Sequence, residues 1–153
     1  MKFFEPIRQK IEVLQKLNEI KVLHSILRDK EFQQFVLDLN RENQLFDEGI
    51  DANSRALAEI GGGYSGLTKA IKKQKGQPFN RVTLKDTGDF YASFKLKTTK
   101  EDFDIVADTL KESGDLRERW GKDILGLTDE SKNELVFRLI PLIHEYLRKK
   151  LKI

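Results

Sequence analysis

Apolar residues recur at steps of three or four from Ile7 through Ile11, Leu14 and Leu17 to Ile20. The pattern continues through Leu23, Ile26 and Leu27 to Phe32, Phe35, Val36 and Leu39. Such spacing lays one apolar stripe along a helix and turns it toward a partner surface. Pro6 stands where a first helical turn tolerates proline. Arg28-Asp29-Lys30 marks a break, so two helices are expected. A third, weaker helical signal covers Ala52 to Ile60. Gly61-Gly62-Gly63 ends it, because glycine loses entropy in a helix and permits positive φ. Tyr64 to Gln77 reads as a polar, basic connection with a turn or two of helix around Thr68 to Lys73. Gly76-Gln77-Pro78 is a loop signal.

The period then shortens to two. Arg81-Val82-Thr83-Leu84 is a short β-rich run. Phe94-Lys95-Leu96-Lys97 alternates apolar and basic residues, as a half-buried strand does. Phe103 to Ala107 is a further strand candidate. The polar link Thr99-Lys100-Glu101-Asp102 suits a hairpin and is too short for a parallel crossover. The last segment is helical again. Thr128 is an N-cap, and Asp129 and Glu130 put negative charge at the positive helix end. Leu135, Leu139, Ile143 and Tyr146-Leu147 form its apolar face. Pro141 lies inside this run and predicts a kink or a restart. Arg148, Lys149, Lys150 and Lys152 complement the negative helix terminus. The order predicts an α+β fold: N-terminal helices, a small antiparallel sheet with a hairpin, and a long C-terminal helix packed on the sheet. Residues 1–60 read as a helical N-terminal region and 61–153 as an α+β core, together one compact domain.

Composition narrows the chemistry. The 153 residues are 39% hydrophobic and 35% charged, which suits one domain with a highly charged surface. With no cysteine there are no disulfides and no thiolate metal sites. No apolar run approaches membrane-spanning length, and Met1-Lys2-Phe3-Phe4 is not followed by a signal-peptide core. A soluble protein of a reducing compartment is expected. The net charge of +3 is unevenly spread. Residues 61–85 carry Lys69, Lys72, Lys73, Lys75, Arg81 and Lys85 and no acid, whereas 86–130 is acidic on balance. A single-sign loop of this kind attracts nucleic acid or meets an acidic patch on a neighbouring subunit.

Three short motifs invite chemistry. Gly61-Gly62-Gly63-Tyr64-Ser65-Gly66 matches G-x-G-x-x-G, with Asp86 at the distance of a ribose-binding acid. A dinucleotide site needs a buried strand before the glycines and a full helix after them, and the polar, helix-like Ala52 to Ile60 is not that strand. Asp86-Thr87-Gly88 matches the catalytic triplet of retroviral-type aspartic proteases, whose paired carboxylates share a proton. There the triplet follows an apolar strand, but Lys85 precedes Asp86 here, and the chain opens with helices. His24 and His144 lie in separate helical patterns with no ligand spacing. No catalytic, cofactor or metal constellation emerges. Asp86 and Thr87 instead read as a turn and cap. Their side chains can bond the backbone two or three residues on, and Gly88 lets the turn begin tightly. Phe90 and Phe94 then fall one turn apart and can bury together.

Taken in order, residues 63–130 present Gly63-Tyr64-x-x-Leu67, then Thr68 with Lys69, Lys72 and Lys73. Leu84-x-Asp86-Thr87-Gly88-x-Phe90-x-x-Ser93-Phe94 follows, then Leu116-x-x-x-Trp120-Gly121, and finally Ile124-Leu125-Gly126-Leu127-Thr128-Asp129-Glu130. This order resembles the virion-morphogenesis or tail-completion proteins of tailed bacteriophages over about the last ninety residues of the chain. Trp120-Gly121 stands where that family usually has Phe-Gly, Ile124 replaces its usual Phe approach to Leu-Gly-Leu, and the helical N-terminal region lies outside its pattern. The resemblance implies a non-enzymatic structural protein of the neck or tail, assembled in the host cytoplasm, without cofactors. It implies partners among its own copies in a ring and among neighbouring phage proteins, with non-specific contact to packaged DNA and none to membrane. Tyr64, Lys69, Lys72, Lys73, Lys75 and Arg81 are then the candidate interface or DNA-facing loop. Two other readings are a basic nucleic-acid-binding module with Tyr64 and Phe79 as stacking aromatics and an aspartic-protease-like enzyme using Asp86.

Overall fold

The computed structural model describes residues 5–100 and 102–153. Met1 to Phe4, where a leader was sought, and Glu101 of the hairpin link lie outside the described residues. Three helices open the chain: α1 Glu5–Gln15, α2 Glu19–Ile26 and α3 Lys30–Asp38. The break at Asp29 is as expected: its carboxylate accepts the Phe32 N–H at 2.8 Å and caps α3. A second break, unforeseen, falls at Leu17-Asn18. Asn18 accepts the Ile20 N–H at 2.9 Å and starts a new helix, which splits the first apolar stripe. Helix α3 continues without a gap into a wider π-helical stretch, Leu39–Glu48, which stops at Gly49 with φ 68°.

The helix expected over Ala52 to Ile60 shrinks to α4, Leu57–Gly61. Ala52 to Arg55 form a turn instead, because the Asp51 carboxylate accepts the backbone N–H groups of Asn53 and Arg55, both at 2.9 Å. A short acidic side chain that captures local amides competes with helix formation. Helix α5, Gly66–Gln74, extends past the turn or two expected there, with Ser65 accepting the Thr68 N–H at 3.2 Å as its cap. Arg81 to Leu84 is not a strand. No strand among the described residues pairs with it, and Leu84 adopts φ 57°.

Helix α6 is one short turn, Asp89–Ala92. Strands β1 Lys95–Thr98 and β2 Phe103–Val106 form the expected antiparallel hairpin, with Leu96 opposite Ile105. A smaller antiparallel pair follows, β3 Leu110–Lys111 and β4 Gly114–Asp115, and leads into α7 Leu116–Trp120. Asp115 caps α7 through the Arg117 N–H at 2.9 Å, and the Arg117 guanidinium holds this carboxyl well below the usual range. After a 3-10 turn, Lys122–Ile124, the long α8 spans Asp129–Leu151.

Helix α8 runs unbroken through Pro141, so there is no restart. Pro141 is exposed, and so is Phe137, whose carbonyl loses its usual donor; water can satisfy the lost bond. Thr128 caps the helix as expected, accepting the Ser131 N–H at 3.1 Å. The fold is therefore α+β in the expected order. One apolar core joins Val22, Phe32 and Leu45 to Phe90, Ile124 and Leu135, so the N-terminal helices pack against the remainder of the same chain. Leu135 and Leu139 of α8 and Phe103 of the hairpin line one apolar cavity together. No helix among the described residues is long and apolar enough to cross a membrane.

Candidate functional site

The basic segment does not present its lysines as one row. Lys72, on the inner side of α5, is buried; its ammonium donates to the Lys85 carbonyl at 2.6 Å and to Gln77 Oε1 at 3.1 Å. It also lies 4.8 Å from the centre of the Tyr64 ring. Lys72 thus leaves the expected contact face and holds the loop together. Tyr64 is half-buried, and its hydroxyl accepts the Thr83 N–H at 2.9 Å. Its ring and its hydroxyl are both engaged within the chain. Arg81 is half-buried as well: its Nε donates to the Phe46 carbonyl at 2.7 Å. Lys69 and Lys73 remain exposed and enter no ion pair among the described residues, while Lys75 reaches Asp86 at 3.2 Å.

With Lys72 turned in, α5 shows its apolar residues to water. Leu67 is 73% exposed, and Ile71, one turn on, is also exposed. The two stand one turn apart on the same side of α5, while Lys69 and Lys73, two residues on from each, lie on a different side.

The glycine triplet has a steric explanation rather than a phosphate-binding one. A Cβ on Gly61 would lie 2.5 Å from Trp120 Nε1 and 2.9 Å from the Arg119 carbonyl oxygen, so only glycine lets α7 approach α4. Gly62 takes φ 82° and turns the chain away.

The Asp86-Thr87-Gly88 triplet is a turn, but the N-cap of the helical turn after it is Gly88, and neither Asp86 nor Thr87 caps that turn with its side chain. Thr87 Oγ1 accepts the Asp89 N–H at 3.4 Å and donates to Asp89 Oδ2 at 2.7 Å. Gly88 sits at φ 96° just before α6. Asp86 points outward, and its carboxylate meets only Lys75 among the described residues. Asp86→Asn is accordingly expected to change the unfolding free energy by less than about 1 kcal/mol, the worth of an exposed ion pair, as read by urea denaturation. Phe90 and Phe94 pack edge-on with ring centres 5.0 Å apart, as their spacing predicts.

Tyr91, beside them, explains how Arg81 to Leu84 is buried without a sheet. Its hydroxyl donates to the Thr83 carbonyl, while the Tyr64 hydroxyl accepts the Thr83 N–H. Two phenols take the place of two strand neighbours. Burial, reinforced by the Glu42 carboxylate, pushes the Tyr91 hydroxyl well above its ordinary range. The folded state needs the neutral phenol, whereas the unfolded chain ionises near pH 10. This stability is therefore complete below about pH 10 and falls as the pH rises beyond it. Urea midpoints of the wild type should drop more steeply between pH 9 and about 12 than those of Tyr91→Phe, which also loses the Thr83 bond.

The most built polar arrangement was not visible in the motifs. Asn40 and Gln44 are fully buried on the π-helical stretch and grip the segment before α8. Asn40 Nδ2 donates to the Ile124 carbonyl at 3.1 Å, and its Oδ1 accepts the Gly126 N–H at 3.1 Å. Gln44 Nε2 donates to the Gly126 carbonyl at 2.9 Å, and its Oε1 accepts the Thr128 N–H at 2.9 Å. Each amide pairs like a piece of strand. Asp51, also fully buried, receives the Arg55 guanidinium at 2.6 Å, and Arg55 and Asn53 both reach Asp123 on the same segment. The four-residue spacing of Asn40 and Gln44 is the only sequence sign of this grip, and a solvated helix face shows the same spacing.

A cavity of about 180 Å³ lies between α2, the β1–β2 hairpin and α8, lined mainly by apolar side chains, with His24 and Asp102 among them. His24 Nε2 is buried there without a hydrogen-bond partner among the described residues, and His144 is exposed on α8. Among the described residues no cluster of three metal-ligating side chains forms. The amides of Asn40 and Gln44 are spent on backbone and tie the π-helical stretch to the segment before α8. No protein-family model, curated protein or solved structure matches the chain.

Proposed function

We propose that the chain is a non-enzymatic structural protein of a tailed-phage particle, joining head to tail or completing the tail by assembling into a ring. The observation that carries the reading is α5. It buries Lys72 and displays Leu67 and Ile71, a choice that stabilises an isolated chain poorly and suits burial against another protein. The two-stranded sheets support it, since each leaves open edges that can pair across subunits. The segments of the phage resemblance also carry framework contacts: Tyr64 on Thr83, Phe90 on Phe94, Trp120 on Gly61, and Ile124 to Thr128 in the grip of Asn40 and Gln44. On this reading the protein resides in the neck or tail after assembly in the host cytoplasm. The test is the mass of the protein in solution over a wide concentration range, alone and with a portal or tail-tube protein. A growing, discrete oligomer or a stable complex is expected; a strict monomer that joins neither overturns the reading.

Exposed Lys69, Lys73 and Lys75, with exposed Phe79 nearby in sequence, favour a second reading, contact with nucleic acid. Tyr64 is not available as its stacking platform, being held by Thr83 and Lys72. Binding to DNA at low salt should fall steeply with added salt. No binding at low salt removes this reading.

A further inference from the structure

Helix α2, the β1–β2 hairpin and α8 enclose the cavity of about 180 Å³ beside the His24 ring. Its walls are mostly apolar, with Phe32 and Leu135 buried and Leu139 half-buried. Two polar groups depart from this. His24 Nε2 is buried and has no hydrogen-bond partner among the described residues. Asp102 is the one exposed residue of the lining, so it marks the mouth, and its Oδ1 accepts the Phe103 N–H at 2.9 Å. Close packing leaves few voids in a protein interior, and a buried nitrogen without a partner weighs against the folded state. Both costs fall on the same place. A water beside Nε2 meets one buried polar atom of the wall, where a buried water is held by roughly two to four.

We propose that this cavity is a binding site for a small neutral aromatic alcohol of about the size of phenol, held through its hydroxyl on His24 Nε2. Size, polarity and charge each narrow the class. Apolar cavities of about 150 Å³ take up benzene, so one six-membered ring with a small substituent fits here. Phe32 and Phe103 in the lining suit an aromatic body. The single buried nitrogen matches one polar atom on the ligand. A hydroxyl serves either tautomer of a neutral imidazole, accepting when Nε2 carries the proton and donating when it does not. The Asp102 carboxylate at the mouth repels an anion, which disfavours a carboxylate of the same size. None of the lining residues belongs to α5, so the site stands apart from the assembly proposed above.

Titration of the full chain with phenol, toluene and benzoate at about pH 8, followed through the imidazole proton signals in NMR, tests the site. The chain has two histidines, and the exposed His144 is the internal control. Phenol should shift the His24 signal, leave that of His144 in place and bind at least about fivefold more tightly than toluene, although toluene is the more apolar. Benzoate should bind most weakly. His24→Leu keeps an apolar wall but removes the nitrogen, so calorimetry on this variant should find toluene preferred over phenol. Leu139→Phe fills part of the space and should abolish binding of both, which keeps the test open if His24→Leu disturbs the fold. Toluene bound as tightly as phenol by the wild type overturns the role of His24. Benzoate bound as tightly as phenol overturns the neutral class. No saturable binding of phenol, or binding that survives Leu139→Phe with the His24 signal unmoved, overturns the site.

Discussion

Gln44→Leu is expected to lower the unfolding free energy by about 2–5 kcal/mol, measured by urea denaturation at neutral pH. Leucine nearly matches the volume of the glutamine but offers neither donor nor acceptor. It leaves the Gly126 carbonyl and the Thr128 N–H without their partners in a place that water does not reach. Each orphaned group costs about 1–3 kcal/mol. Loss at Thr128 also disturbs the cap of α8, because its hydroxyl holds the Ser131 N–H. Gln44→Glu should be little better, since a carboxylate can accept from Thr128 but cannot donate to Gly126. Combining Gln44→Leu with Asn40→Leu should cost less than the sum of the two, because both amides hold the same Gly126 peptide region. Strict additivity would show that the two act independently, contrary to the shared grip.

Gly61→Val is the second large effect, about 1–3 kcal/mol by overpacking. Its branched side chain would enter the space of the Trp120 ring and of the Arg119 carbonyl, and the backbone atom cannot swing aside as a side-chain tip can. Trp120 is the only tryptophan, so its fluorescence reports the displacement directly. A red-shifted emission with a lowered urea midpoint is expected. Trp120→Leu in the Gly61→Val background should recover part of the loss by freeing the ring's volume. Unchanged emission and stability would show that α4 and α7 are less closely packed than the 2.5 Å approach implies. Arg119 contributes to this joint, donating from Nε to the Gly61 carbonyl at 2.7 Å and lying over the Trp120 ring.

Both predictions concern framework, and that bears on function. The segments that resemble a phage virion protein, above all Ile124 to Thr128, are where the fold spends its buried polar groups. The large exposed apolar side chains lie elsewhere, among them Leu67 and Ile71 on α5 and Val136 and Phe137 on α8.

Features that depend on neighbours within one or two turns were legible in the sequence. The hairpin of β1 and β2 follows from period-two alternation around a four-residue link. The cap at Thr128 and the packing of Phe90 on Phe94 follow from spacing alone, and so does the break at Asp29. Tertiary structure settled the rest, because the deciding partner lies far along the chain. Gln44 and Thr128 are 84 residues apart, and nothing near either one signals the other. Arg81 to Leu84 has strand-like composition, yet a strand needs a neighbour, and two tyrosine hydroxyls satisfied its backbone instead. Lys72 is one lysine among several in the sequence. Only the Lys85 carbonyl and the Tyr64 ring, brought beside it by the fold, make it the one that turns inward and leaves Leu67 and Ile71 outside.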